Sequence, residues 1–162
     1  MEEVPQLPNN KRSHHVYMTI TDLDSKLYSD QTGHFPITSN RGNFYVVIFY
    51  AVDGNYIKAH PIKSHHRSQL LKKYDDVYDF LQLHGYRPHL HNMDNKTSKG
   101  VEDVIAEQQS KVQYTPADIH HTNIVKRCCS TWKNHFTAVR AGAPHSFCMG
   151  NWCKLRNNVT SL

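Results

Sequence analysis

The order of patterns along this chain predicts an α/β domain: a mixed sheet flanked by helices, in the sequence strand, strand, strand, helix, strand, helix, strand, helix. Three observations carry that expectation. Two runs rich in Val, Ile, Phe and Tyr stand side by side across Asp53-Gly54. After them, short apolar runs alternate with stretches whose apolar residues recur every three to four positions, which implies helices packed on a sheet. Finally, 162 residues at 38% hydrophobic and 20% charged are the profile of one domain with one sizeable core.

Each element has a local reason. Residues 1 to about 25 are polar, with two Pro and the cluster Asn9-Asn10-Lys11-Arg12-Ser13-His14-His15. They read as a largely irregular lead-in with a short strand at Val16 to Ile20. Lys26-Leu27-Tyr28-Ser29-Asp30 alternates polar and apolar like a strand, and Thr32-Gly33 breaks it. Phe44 to Val52 and Tyr56 to Ile62 form the hairpin. Ser68 to His84 predicts a helix, with Leu70, Tyr74, Val77, Leu81 and His84 on one face and Gly85 at its end. His89 to Met93 reads as a strand leading into Asp94-Asn95, and Thr97-Ser98 opens a helix carrying Val101, Val104 and Ile105. Val112 to Tyr114 makes a strand stopped by Pro116. A long helix from about His121 to Val139 buries Ile124, Cys128, Trp132 and Phe136, with Val125 and Cys129 beside them, and Gly142 and Pro144 close it.

Composition narrows the function classes. The longest apolar run, Phe44 to Val52, is far short of the roughly 20 residues a membrane helix needs. The N-terminus lacks the basic start and apolar stretch of a secretory signal, so an intracellular protein is expected. Four Cys, two of them adjacent, fit reduced thiols better than a disulfide framework. From Ile119 onward there are six Lys or Arg and no acid, whereas the rest holds thirteen basic residues against fourteen acidic ones. Such a one-sided basic segment suits an anionic partner, with nucleic acid the commonest, or else is a solvated helix face.

In a mixed sheet, ligands gather near strand ends. Asp30 closes the first strand and Asp94 the fourth. If those strands adjoin, the two carboxylates converge, and a divalent cation such as Mg²⁺ or Mn²⁺ would relieve their repulsion. Taken singly, each Asp reads first as a turn or helix cap.

Four stretches resemble a known family. Tyr28-Ser29-Asp30-Gln31-Thr32-Gly33-His34-Phe35-Pro36, Ser39-Asn40-Arg41-Gly42-Asn43, Met93-Asp94-Asn95 and Trp132-Lys133-Asn134-His135-Phe136 are similar, in order and over residues 26 to 156, to the integrase catalytic core of retrotransposon polyproteins of the Ty/Copia or retroviral type. The resemblance implies a ribonuclease H-like fold. It also implies an Asp, Asp, Glu triad that holds two Mg²⁺ or Mn²⁺ ions for 3′-end processing and strand transfer of DNA. Asp30 matches the first acid and Asp94 the second. The third belongs in a segment resembling Asn-x-x-Glu-Arg, and here Asn123-Ile124-Val125-Lys126-Arg127 puts Lys126 at that place, 32 positions after Asp94 as the family spacing requires.

An ammonium there would neutralise Asp30 and Asp94 in place of a metal, so weak or absent catalysis is expected. Glu102 and Asp118 are the nearby acids, and neither has the register of the missing one. In the resembling family the last helix touches DNA, which makes Lys126, Arg127, Lys133 and Arg140 candidate phosphate contacts; the alternative is a solvated face. The 13 His and four Cys show no spacing that repeats like a zinc site, so no zinc is expected. Cys128, Cys129 and Trp152 are expected to pack in the core. The resemblance further implies DNA as partner, a homodimer through helix faces, nuclear location for a working copy, and neither a membrane nor a small-molecule substrate. The family's upstream zinc module has no counterpart in this sequence, and residues 26–162 are expected to be a C-terminally truncated, decayed core. A non-catalytic DNA-binding remnant is the rival reading, and a nuclease using Asp30 and Asp94 alone is a third.

Overall fold

The computed structural model describes residues 25–94, 98–115 and 124–158. The expected strand at Val16 to Ile20, the expected helix start at His121, and Asp118 lie outside the described residues. Among the described residues, five strands and three helices follow the predicted order: β1 (Lys26–Gln31), β2 (Tyr45–Ala51), β3 (Tyr56–Ile62), α1 (Arg67–Leu83), β4 (Leu90–Asp94), α2 (Lys99–Glu107), β5 (Lys111–Thr115) and α3 (Ile124–Ala141). A 3₁₀ helix, Met149–Asn158, follows them.

The strands form one sheet in the order β3-β2-β1-β4-β5. β2 is antiparallel to both β1 and β3, while β4 runs parallel to β1 and to β5. The two antiparallel pairs need only short turns, and the parallel pairs need crossovers, which α1 and α2 supply. This is the ribonuclease H-like arrangement. At the hairpin, Asn55 takes a positive φ of 44° and its N–H returns to the Val52 carbonyl at 3.0 Å. Pro61 is tolerated in β3 because that strand is an edge of the sheet.

Helices cover both faces, so the sheet has two cores. On one side α1 and α2 pack Leu70, Tyr74, Val77, Tyr78, Leu81, Val101 and Ile105 against Leu27, Val47, Phe49 and Met93. On the other, α3 and the 3₁₀ helix pack Val125, Cys128, Cys129, Trp132, Phe136, Trp152 and Cys153 against Val46, Ile48, Ile57 and Ala59. Double coverage explains why Val46-Val47-Ile48-Phe49 is a continuous apolar run, buried at every position. Ile124 is only half-buried. His84, expected on the buried face of α1, is exposed. It caps that helix, with Nδ1 2.7 Å from the Phe80 carbonyl oxygen, and Gly85 follows with φ of 82°. Tyr78 joins Leu70, Tyr74, Val77 and Leu81 on the buried face. Among the described residues no helix is long and apolar enough to cross a membrane.

Candidate functional site

β1 and β4 adjoin in parallel, with Lys26 level with Leu90 and Tyr28 level with Asn92. Continued by two residues, that register puts Asp94 level with Asp30, at the ends of neighbouring strands. The two strands that carry the acids thus adjoin. Side chains alternate along β1: Leu27 and Ser29 face α1, while Tyr28 and Asp30 face α3.

On the α3 side, Asp30 Oδ1 accepts the Gln31 N–H at 2.8 Å, and Oδ2 accepts the Cys129 thiol at 3.8 Å. Burial, then the Asp30 charge, push the Cys129 thiol well above its usual range, against the opposing pull of Lys133. Cys129 therefore stays protonated as a donor. Lys126 lies three positions before Cys129, on the same side of the helix, and Lys133 and Arg140 follow Lys126 at intervals of seven. Lys126 is half-buried, whereas Arg127, Lys133 and Arg140 are exposed. Lys133 and Arg140 line a cleft of about 320 Å³ whose other wall is the loop Thr32 to Pro36, directly after β1. Arg127 is not among the cleft's lining residues, and its charge acts on Cys128. Asp30 and Asp94 thus end adjoining strands, Cys129 of α3 reaches Asp30, and Lys133 and Arg140 line the cleft beside the loop after β1, a cleft that neither Lys126 nor Arg127 lines.

Glu102 is placed elsewhere: Tyr114, level with Met93 and on the α1 and α2 side, donates its hydroxyl to Glu102 Oε1. The His pairs 14–15 and 120–121 lie outside the described residues. Cys128 and Cys129 are buried in the α3 core, and Trp152 is buried beside them.

One feature had no sequence signal. Behind Asp30, His91 of β4 is fully buried, its Nε2 2.9 Å from Ser29 Oγ and its Nδ1 2.9 Å from Tyr78 Oη; Ser29 Oγ lies 3.0 Å from Tyr74 Oη. Burial pushes His91 down to about 3. This neutral network ties β1 to β4 one residue below Asp30 and three below Asp94, and so holds the register that makes the two acids level.

No family model matches the sequence, and no curated protein is significantly similar to it. Among solved structures, the chain is similar in fold to one from the cryo-EM structure of a simian T-cell lymphotropic virus intasome in complex with PP2A regulatory subunit B56 gamma, with a TM-score of 0.64 and 15% identity over 88% of this chain. The chain spans about half of that protein's length, 49%. At such identity the likeness is one of fold.

Proposed function

We propose that this chain is a retroelement integrase core-like domain, associated with DNA integration, in which polynucleotidyl transfer is impaired because Lys126 stands where a third acid would be needed. The observation behind this reading is the level placement of Asp30 and Asp94 on parallel strands, facing a helix whose Cys129 thiol reaches Asp30 and whose first turn carries Lys126 and no acid. The intasome-like fold supports it.

The donor set does not fit a pair of Mg²⁺ or Mn²⁺ ions. Hard divalent cations want several oxygen ligands, and a two-ion site needs carboxylates on more than one side. Here Cys129 Sγ is a soft, protonated atom and Lys126 is itself a cation. The Lys126 ammonium would screen the repulsion between the two acids at no cost in metal. Without the third ligand, the geometry of attacking and leaving oxygens is unset, and that geometry is most of such catalysis.

The test is a calorimetric Mn²⁺ titration of the chain beside Lys126→Glu and Asp30→Asn. Lys126→Glu should gain an affinity that the native chain lacks, and Asp30→Asn should show none. Native binding that Asp30→Asn abolishes, together with strand transfer on a DNA end, would overturn the impairment.

A second reading is a non-catalytic DNA-binding remnant, favoured by a specific feature: α3 carries Lys126, Arg127, Lys133 and Arg140 and no acid. It predicts binding to duplex DNA in the presence of a chelator, indifferent to sequence and weakened by salt. Pairing of two copies and a nuclear location belong to the same proposal. Failure to bind DNA at low salt counts against both readings.

A further inference from the structure

Four rings gather where β1 ends, β2 begins and β3 ends, beside the candidate site. His34 lies 5.1 Å from Phe44 and 5.3 Å from Tyr45, edge-on to the latter, and Tyr45 lies 4.0 Å from His65. His34 and His65 are exposed, Phe44 and Tyr45 half-buried. The setting is basic. Arg41 and Lys63 are exposed nearby in the chain, and a Cβ at Gly42 would stand 3.8 Å from the Lys63 stem. Within residues 32–73 the one acid is Asp53, in the hairpin turn at the opposite end of the sheet; Asp30 precedes this stretch, and Asp103 of α2 pairs with Arg67 at 3.9 Å. His34 also borders the cleft lined by Lys133 and Arg140, so the rings and the cations of α3 meet across one residue.

Clustered rings, two of them exposed and joined to a basic cleft, match what an unpaired strand offers: a charged backbone and π-faces free to stack. A duplex keeps its bases stacked on one another and cannot use the rings. We propose that His34, Tyr45 and His65, with Phe44 behind them, form a stacking platform for the unpaired bases of single-stranded nucleic acid, whose phosphates continue to Lys133 and Arg140. The platform is sequence-tolerant, because every base has a π-face. It rests on the nucleic-acid reading above and adds to it the kind of strand that is held.

The experiment measures fluorescence anisotropy with labelled oligothymidylate of about 12 nucleotides and a duplex of the same length, between about 50 and 200 mM salt. The native chain is compared with the double variants His34→Ala/His65→Ala and Lys133→Ala/Arg140→Ala. All four residues replaced are exposed, so circular dichroism should be unchanged. The native chain should prefer the single strand. The histidine variant should lose about tenfold on the single strand only, with its salt slope intact. The α3 variant should lose affinity on both probes and show a shallower slope. Native-like single-strand binding by the histidine variant overturns the platform and leaves the DNA reading standing, and so do equal losses on the two probes. No binding of either probe by the native chain overturns both.

Discussion

His91 is where a single residue is most committed. Its two nitrogens are satisfied by Ser29 and Tyr78 hydroxyls and its ring stacks on Tyr74 at 5.4 Å, in a setting so buried that the charged ring is disfavoured. The folded chain keeps His91 neutral down to about 3, whereas the unfolded chain protonates it near the ordinary 6.5. Between those values the unfolded state binds the extra proton. Stability is therefore lost as pH falls from 6.5 toward 3, by up to roughly 1.4 kcal/mol per pH unit from this residue. Urea unfolding of the native chain across that range, beside His91→Leu, checks it: the variant costs about 2–4 kcal/mol at neutral pH but has a flatter acid limb. An identical acid limb would refute the assignment. The thiols give a second test at this scale. Cys148 is exposed, while Cys128, Cys129 and Cys153 are buried, and a thiolate is the reactive form. Ellman's reagent should modify Cys148 rapidly and the other three only in denaturant; a second fast thiol at neutral pH would show that the α3 core opens.

At the scale of elements, the 3₁₀ helix acts as a clasp on the loop that follows β1. Trp152 stacks on Phe35 at 4.4 Å and 7°, and its Nε1–H donates to the Ile37 carbonyl at 2.8 Å. Two residues earlier, the Gly150 carbonyl accepts the Asn40 N–H at 2.6 Å, and a Cβ on Gly150 would run into the Asn40 side chain. The loop carries Phe35 and Pro36, which wall the cleft against α3. Trp152→Ala should therefore destabilise the chain by about 3–5 kcal/mol, and Trp152→Phe, which keeps a ring but loses the donor, by about 1 kcal/mol. Denaturant midpoints decide it, and equal effects of the two variants would mean that the hydrogen bond, not the stack, holds the clasp.

The whole molecule is electrically two-sided about its sheet. α3 has four cations and no acid, while α2 sets Glu102, Asp103 and Glu107 against Lys99 alone. Acids crowd enough on that second face that burial, then the charges of Asp79, Glu107 and Asp76, hold Asp75 above the usual carboxylate range. A polyanion should approach from the α3 side. With four phosphates neutralised there, affinity should fall about a hundredfold between about 50 and 200 mM salt. A salt-independent affinity would show that α3 is only a solvated face.

What the sequence determined by itself is the order of elements, because hydrophobic period and turn chemistry are local. Alternation in Lys26 to Asp30, the apolar stripe through Cys128, Trp132 and Phe136, and Asp53-Gly54 each announce their structure within a few residues. The place of Asp30 and Asp94 at strand ends was legible for the same reason, and the lysine at 126 was legible from the family resemblance. The 3₁₀ helix was not, since its hold comes from Trp152 and Cys153 packing on a distant sheet. Nor was His84, whose spacing matched the buried face of α1 although it lies beyond the last helical turn. Tertiary structure alone decided that β1 is the central strand, that the Cys129 thiol reaches Asp30 across 99 positions of chain, and that His91 binds Ser29 across 62. Such contacts follow from strand order and from which face each side chain takes, and those are settled only when the two cores close on the sheet together.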